Sequence, residues 1–511
     1  MEKSEQAGIL PMDRVLNTPK PVRKWRPSSH DDAANPAHSA PKPASTPVVR
    51  KPKPRGASVL QGLAPKFSRS SPTPAKPAQT AEDPEFGPAP QASSLHNFGL
   101  ICISAYLLSA YSNDLMMHAF GGKAYLSWVF GPLAILLLVI CGTVMRGVRF
   151  SIGKFWLGFA ACLLFSTAFS MVKPTSLGMI KGYFMQVLVV YFCCTAFALT
   201  IRNVHKLMMA NVICTAMMIL EAILFGQPDE AGRMVIPDSI FLGNSNDFSL
   251  HLVCSLGFSM YLVWQKSGLA KVLGATQFLL TLYLMLKTGS RGGFLALMGC
   301  LTIWFLFSGK RGTIIALLLP GLAVIPLISG ATLARLVHIE VPGSSLANSA
   351  EGEAEMSQVE RTHLLETSIR FALTHPLFGT GPATFSDALY FDDLAHGTHT
   401  PALGTHNSWT QVASECGIPA FLFYVCVVFG SIRVCYRIMR KTQNQPGAEK
   451  VFAISACLLG ILVAYAISTT FDHVAYHLLL PLFSGTTVAL YLSTHGGDLE
   501  WIRSQDALGN V

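Results

Sequence analysis

The sequence predicts an all-α, polytopic membrane protein with about 12 transmembrane helices, one long external loop that itself contains helices, and a disordered N-terminal tail. Three observations carry this. The 511 residues are 51% hydrophobic and only 13% charged, where a soluble chain carries nearer ~25% charged residues. Apolar runs of about 17–25 residues recur, each long enough to cross a ~30 Å hydrocarbon core. The runs are continuous rather than alternating, which excludes a β-barrel.

Residues 1–95 are rich in Pro, Ala, Ser and basic residues, as in Pro41-Lys42-Pro43 and Lys51-Pro52-Lys53-Pro54-Arg55. Such a segment buries too little apolar surface to offset its ordering entropy. It reads as a disordered cytoplasmic tail. A solvated tail is the plain reading; attraction to anionic lipid headgroups and docking of a cytoplasmic partner through its proline motifs are the functional ones. No apolar stretch near Met1 resembles a cleavable signal peptide.

Transmembrane helices 1–9 are expected within 96–331, at 98–117, 124–145, 155–172, 178–200, 207–226, 246–264, 272–288, 292–309 and 313–331. Residues 332–407 form the external, periplasmic loop. Helices 10–12 follow within 408–493, at 408–432, 451–470 and 475–493, and 494–511 is a cytoplasmic C-terminal tail. Charge tests this order. With the tail inside, the cytoplasmic connections carry Arg146, Arg149 and Lys154; Arg202 and Lys206; Lys266 and Lys271; Lys310 and Arg311; and Arg433, Arg437, Arg440, Lys441 and Lys450. The opposite connections are poor in Lys and Arg, and one is acidic, with Asp229, Glu230 and Asp238. The positive-inside rule is met along the chain. It also accounts for the net charge of +9 without nucleic acid.

The long loop holds most of the polar chemistry. Residues 343–358 are small and acidic and read as flexible. Residues 359–374 suit a helix. Leu364, Leu365, Ile369, Phe371 and Ala372 cover one face, with Arg361 in its middle and Arg370 opposite. An arginine on a packed face needs a partner, so Arg361 is the stronger candidate. His375-Pro376 ends the helix, and Gly379-Thr380-Gly381-Pro382 makes a tight turn.

Other candidates sit at span ends. Arg291 lies among glycines in Thr288-Gly289-Ser290-Arg291-Gly292-Gly293, where the first N–H groups of a helix also favour anions. It could bind phosphate or only mark the membrane edge. His406 precedes the tenth span and could act as a base or pair with a headgroup. Glu415, inside that span, could orient a base, pair with an arginine or hydrogen-bond between helices. Asn244-Ser245-Asn246-Asp247 opens the sixth span and reads as a cap, with Asn246 a substrate contact in the alternative. Asp472 and His473 form a further external pair.

The cysteines fall almost entirely inside spans, and neither a disulfide framework nor a zinc spacing is evident. No metal and no cofactor is therefore expected. No P-loop or aspartate-rich metal motif is present, which argues against a nucleotide donor.

Taken in order, these pieces resemble the O-antigen ligase and polymerase superfamily of bacterial membrane proteins. Ser290-Arg291-Gly292 is similar to that family's Ser-Arg-Gly span start. Arg361 leading to His375-Pro376-Leu377-Phe378-Gly379-Thr380-Gly381-Pro382 resembles its arginine helix and Pro-Leu-x-Gly-x-Gly-Pro turn. His406-Asn407-Ser408-Trp409 with Glu415-Cys416-Gly417 resembles its His-Asn…Glu-x-Gly signature. Asn244-Ser245-Asn246 departs from its Asn-Pro-Asn element by a serine. The likeness covers about 240–430.

What the resemblance implies is a metal-independent glycosyltransferase of the bacterial inner membrane. Its donor would be an undecaprenyl-diphosphate-linked glycan, and its acceptor a glycan or glycolipid. Arg291 and Arg361 would hold the diphosphate, and His406 would activate the acceptor hydroxyl. Arg370, ahead of Gly381, is similar to a loop arginine of the polymerases. Lipopolysaccharide ligation, polymerisation of surface polysaccharide and protein O-glycosylation all stay open. A non-enzymatic transporter of the same lipid is the rival class, but it predicts internal repeats and ionisable residues strung along the pathway at midplane; no repeat is evident, and the candidate residues cluster at one face.

Overall fold

A computed structural model describes residues 92–112, 115, 126–229, 232–237, 239, 242–322, 350–397 and 403–507. Most of the N-terminal tail, the first half of the long loop and the stretch containing His399 lie outside the described residues.

The helices run in order α1 (Ser94–Tyr111), α2 (Leu126–Cys141), α3 (Val144–Arg149), α4 (Ser151–Ala168), α5 (Lys173–Phe197, with a π-helical turn at Tyr183–Leu188) and α6 (Ile201–Phe225). A short hairpin pairs β1 (Gln227–Pro228) with β2 (Met234–Val235). Then come α7 (Ser245–Val263), α8 (Gly268–Lys287), α9 (Arg291–Phe307) and α10 (Arg311–Leu322). The loop contributes α11 (Ala350–Thr374) and α12 (Phe385–His396). The chain ends with α13 (Ser408–Thr442), α14 (Glu449–Ser468), α15 (Leu479–Ser493) and α16 (Leu499–Ala507).

Each expected apolar stretch coincides with a helix. Among the described residues, six helices are long and apolar enough to cross a membrane: α4, α5, α6, α8, α13 and α14. The expectation of about twelve spans is not confirmed: among the described residues only those six qualify by length and composition. The others, such as α9 and α15, are shorter apolar helices.

Burial separates a centre from a periphery. Every residue of α7 from Phe248 to Val263 is buried, as is nearly all of α14. These two helices pack on one another, and α14 also packs on α9 and α13. Peripheral helices leave large apolar side chains outward, including Trp128, Val139 and Leu269, each at least 70% exposed. A soluble protein does not leave such side chains outward around its whole circumference; a bilayer solvates them.

Two loop expectations are corrected. Helix α11 starts at Ala350, so residues 350–358 are helical rather than a flexible run. Their Ala and Glu content favours helix, and acidic residues suit a helix N-terminus. The buried stripe of α11 is Leu364, Thr367, Ser368, Phe371 and Ala372, whereas Leu365 and Ile369 are 36% and 45% exposed. Small hydroxylic side chains let the helix approach its neighbour closely, and the stripe rotates toward them. Leu364 and Phe371 join Phe385, Ala388 and Leu389 of α12 in a small core separate from the main one. The C-terminal tail is also structured, since α16 buries Ile502 and Trp501 Nε1 donates to Ser493 O at 3.0 Å.

Candidate functional site

The loop is fastened to the helical body through a break in α13. Gly417 takes φ 85° and ψ 169° there, a conformation open to glycine, and Pro419 offers no N–H to Glu415 O. The backbone groups freed by this break are taken up by the loop. Thr380 N donates to Ser414 O at 2.9 Å, Gly381 N to Glu415 O at 2.8 Å, and Ile418 N to Pro376 O at 2.8 Å. A β-carbon on Gly417 would run into Leu377 O.

Glu415 completes the fastening. Its carboxylate accepts from Ala383 N at 3.0 Å, Phe385 N at 3.3 Å and Tyr476 Oη at 2.7 Å. It therefore caps α12 and ties the loop to the segment before α15. This is the hydrogen-bonding role among the alternatives for Glu415. With the 376–385 turn fixed, the direction of α11 is fixed, and with it Arg361.

A second set of bonds places His406. Asn407 caps α13, its Oδ1 accepting from Trp409 N and Thr410 N at 2.9 and 3.1 Å. Ser408 N donates to Thr469 O at 2.8 Å, while Ser408 Oγ donates to Asp472 O at 2.7 Å and accepts from Val474 N at 2.9 Å. These bonds hold the start of α13 against the loop between α14 and α15. His406 itself has φ 48°, a costly left-handed conformation for a non-glycine residue. Its ring meets that of His473 edge-on, with centroids 5.1 Å apart.

A third junction brings in Arg291. Ser290 caps α9, accepting from Gly293 N at 3.2 Å, and donates to Asn246 Oδ1 at 2.9 Å. Asn244 caps α7 through Asn246 N at 2.8 Å, so Asn244 carries the expected cap.

These junctions converge on a cavity of about 420 Å³, whose lining includes Asn246, Arg291, Arg361, His406 and Arg233. Arg291, Arg361 and His406, singled out on separate stretches of sequence, thus share one cavity. Arg370 does not line it. Its guanidinium forms a two-pronged pair with Asp392 of α12, at 2.8 and 2.6 Å. Asp472 and His473 lie beside His406 and do not line it either.

Arg233 escaped the sequence reading. It lies in the β1–β2 hairpin, where Asp229 accepts from its N and Nε at 2.8 and 2.9 Å. The available signal was a lone cation in an otherwise acidic external connection.

Charge in the cavity is one-sided, with three arginines and no carboxylate among its lining residues. Burial, then His473 and Arg361, push the His406 imidazole down to about 4. Burial also lowers His473, and burial followed by the facing Asp247 raises the Asp472 carboxyl well above the ordinary range. An anion-binding cavity with a neutral imidazole at its wall can hold a phosphate-bearing group and accept a proton beside it.

Residues 277–425 match the family model described as O-antigen ligase. Over this stretch the chain is similar to the O-antigen ligases. The match spans Arg291, Arg361, Arg370, His406 and Glu415, and stops short of Asn246 on one side and Asp472 and His473 on the other. The O-antigen ligase match and the apolar helices together indicate a multi-pass membrane protein. A comparison with curated proteins returns no match.

Proposed function

We propose that the protein transfers a glycan from undecaprenyl diphosphate to an acceptor sugar hydroxyl on the periplasmic face of the inner membrane. The observation that carries this is the meeting of Arg291, Arg361 and His406 around one cavity of about 420 Å³. Basic residues in alternate connections support the periplasmic placement.

In this reading Arg291 and Arg361 grip the diphosphate through forked N–H groups. They also stabilise the negative charge that grows on it as the bond from the anomeric carbon to the phosphate oxygen breaks. His406, neutral at physiological pH, takes the proton of the acceptor hydroxyl. The acceptor oxygen bonds to the anomeric carbon, and undecaprenyl diphosphate leaves. No metal is required, since the arginines supply the positive charge. Asn246 positions Ser290 and so the start of α9.

The test uses the purified chain in detergent, metal-free, with a short undecaprenyl-diphosphate-linked glycan and candidate acceptors. Arg291→Ala, Arg361→Ala and His406→Ala run beside the parent. Release of undecaprenyl diphosphate with extension of an acceptor by the parent, and loss of both in the variants, is the expected result. The acceptor that works separates ligase from polymerase. A parent that binds the lipid but never cleaves it, whichever acceptor is supplied, overturns the proposal in favour of transport.

A further inference from the structure

Beside the cavity, four polar side chains come together from three segments. They are His406 ahead of α13, Asp472 and His473 ahead of α15, and Asp247 in the first turn of α7. One ligand atom from each of His406, Asp472 and His473 lies within 4.8 Å of the others. Asp472 is 1% exposed. His406 Nδ1, His473 Nδ1, Asp472 Oδ2 and Asp247 Oδ1 are all buried without a hydrogen-bond partner. Buried polar atoms are rarely left so, and a cluster of four needs a common explanation.

We propose that His406, Asp472 and His473 bind a divalent transition-metal ion of the zinc or cobalt class. The donor set favours this class. Neutral imidazoles and carboxylates together suit zinc and its neighbours rather than magnesium or calcium, which take oxygen. The Asp472 carboxylate offsets part of the charge of a divalent ion. The positions are also constrained. Ser408 Oγ holds Asp472 O and Val474 N at 2.7 and 2.9 Å, fixing the backbone on both sides of His473. The His473 ring meets that of His406 edge-on and lies against Gly404, where a β-carbon would lie 2.8 Å from the ring. Tetrahedral zinc with ~2 Å bonds places its ligands about 3.3 Å apart, so side-chain rotation closes the site.

One proton shared between Asp247 and Asp472 is the competing occupant. The proposal goes beyond the transferase reading. On that reading, though, occupancy silences the base, because an imidazole metallated at Nδ1 keeps its proton on Nε2 and has no lone pair left.

The experiment is titration of the metal-free full chain in detergent with Co²⁺, followed by visible absorption, with no glycan present. Expected are ligand-field bands that saturate at one Co²⁺ per chain and vanish on adding one equivalent of Zn²⁺. Asp472→Asn and His473→Gln should each weaken Co²⁺ binding at least tenfold, while His375→Ala, on an exposed histidine elsewhere in the loop, leaves it unchanged. A parent without saturable bands at neutral pH overturns the proposal. So do folded Asp472→Asn and His473→Gln proteins that both bind as the parent does. Because the readout is binding alone, failure here leaves the transferase reading untouched.

Discussion

Tyr476 donates its phenolic proton to Glu415 across 61 positions of sequence, with Oη 2.7 Å from Oε2. The same carboxylate accepts from two backbone N–H groups of the loop. Glu415 is thus the point where the loop, α13 and the segment before α15 meet.

Removing that point should cost more than removing one of its partners. Glu415→Ala strands two N–H groups and a tyrosine hydroxyl in a buried place, at about 1–3 kcal/mol per orphaned group. Tyr476→Phe removes one hydrogen bond for about 1 kcal/mol. Thermal unfolding in detergent should show a large drop for Glu415→Ala and a small one for Tyr476→Phe, with transfer retained in the latter. Equal drops would mean that the carboxylate does not carry the loop.

The kink at Gly417 makes a sharper prediction. A side chain there meets Leu377 O, and φ 85° disfavours it. Gly417→Ala should cost at least about 2 kcal/mol from backbone strain alone. Gly430, in the regular part of α13, has only ordinary contacts, so Gly430→Ala should be neutral or stabilising. Comparing their unfolding midpoints isolates the kink from the general effect of adding a methyl group.

What could be read from sequence was what has a period or a composition. The apolar runs located the helices, and the 3.6-residue spacing of Leu364, Phe371 and Ala372 put Arg361 on the packed side of α11. Leu365 and Ile369 were misjudged because Thr367 and Ser368, polar in name, proved better at close packing. The fastening of residues 376–385 to the break in α13 rests on backbone hydrogen bonds, which leave no pattern in side-chain chemistry. The meeting of His406 with Asp472 and His473 depends on Ser408 bridging two distant loops. No spacing rule for metal ligands finds ligands drawn from such separate segments. Arg233 was visible, but positive-inside counting gives weight to the sign of a connection rather than to its one exception.

Arg370 and Arg361 should behave in opposite ways. Arg370 is 47% exposed on its side chain and paired with Asp392, and an exposed pair contributes under about 1 kcal/mol. Its hydrogen bonds hold the Asp392 carboxyl below its ordinary range. The folded value being depressed, the pair's stabilisation is complete above the ordinary carboxylate value and is lost as pH falls through the depressed one. Arg370→Ala should therefore lower the unfolding midpoint slightly at pH 7, leave it level with the parent's in strong acid, and leave transfer intact. Arg361→Ala should abolish transfer with the midpoint nearly unchanged. A dead but folded Arg370→Ala protein would move the diphosphate grip to the outer side of α11.

Arg233 offers the last separation, between binding and chemistry. It lines the cavity from the β1–β2 hairpin with its Nε engaged by Asp229, so on the proposed reading it would meet a donor from the hairpin rather than from α9 or α11. A charged hydrogen bond that acts equally in the ground and transition states lowers KM without altering kcat. Its loss costs about 1.5–3 kcal/mol, which is at least tenfold in affinity. Arg233→Ala should raise the KM for the lipid-linked donor about tenfold or more, leave kcat within a factor of about two, and leave the KM for the acceptor alone. Asp229→Asn, which loosens the hairpin arginine without deleting it, should give a smaller rise in the same constant. If Arg233→Ala instead lowers kcat with KM unchanged, the arginine serves the charge that develops during glycan transfer and ranks with Arg291 and Arg361.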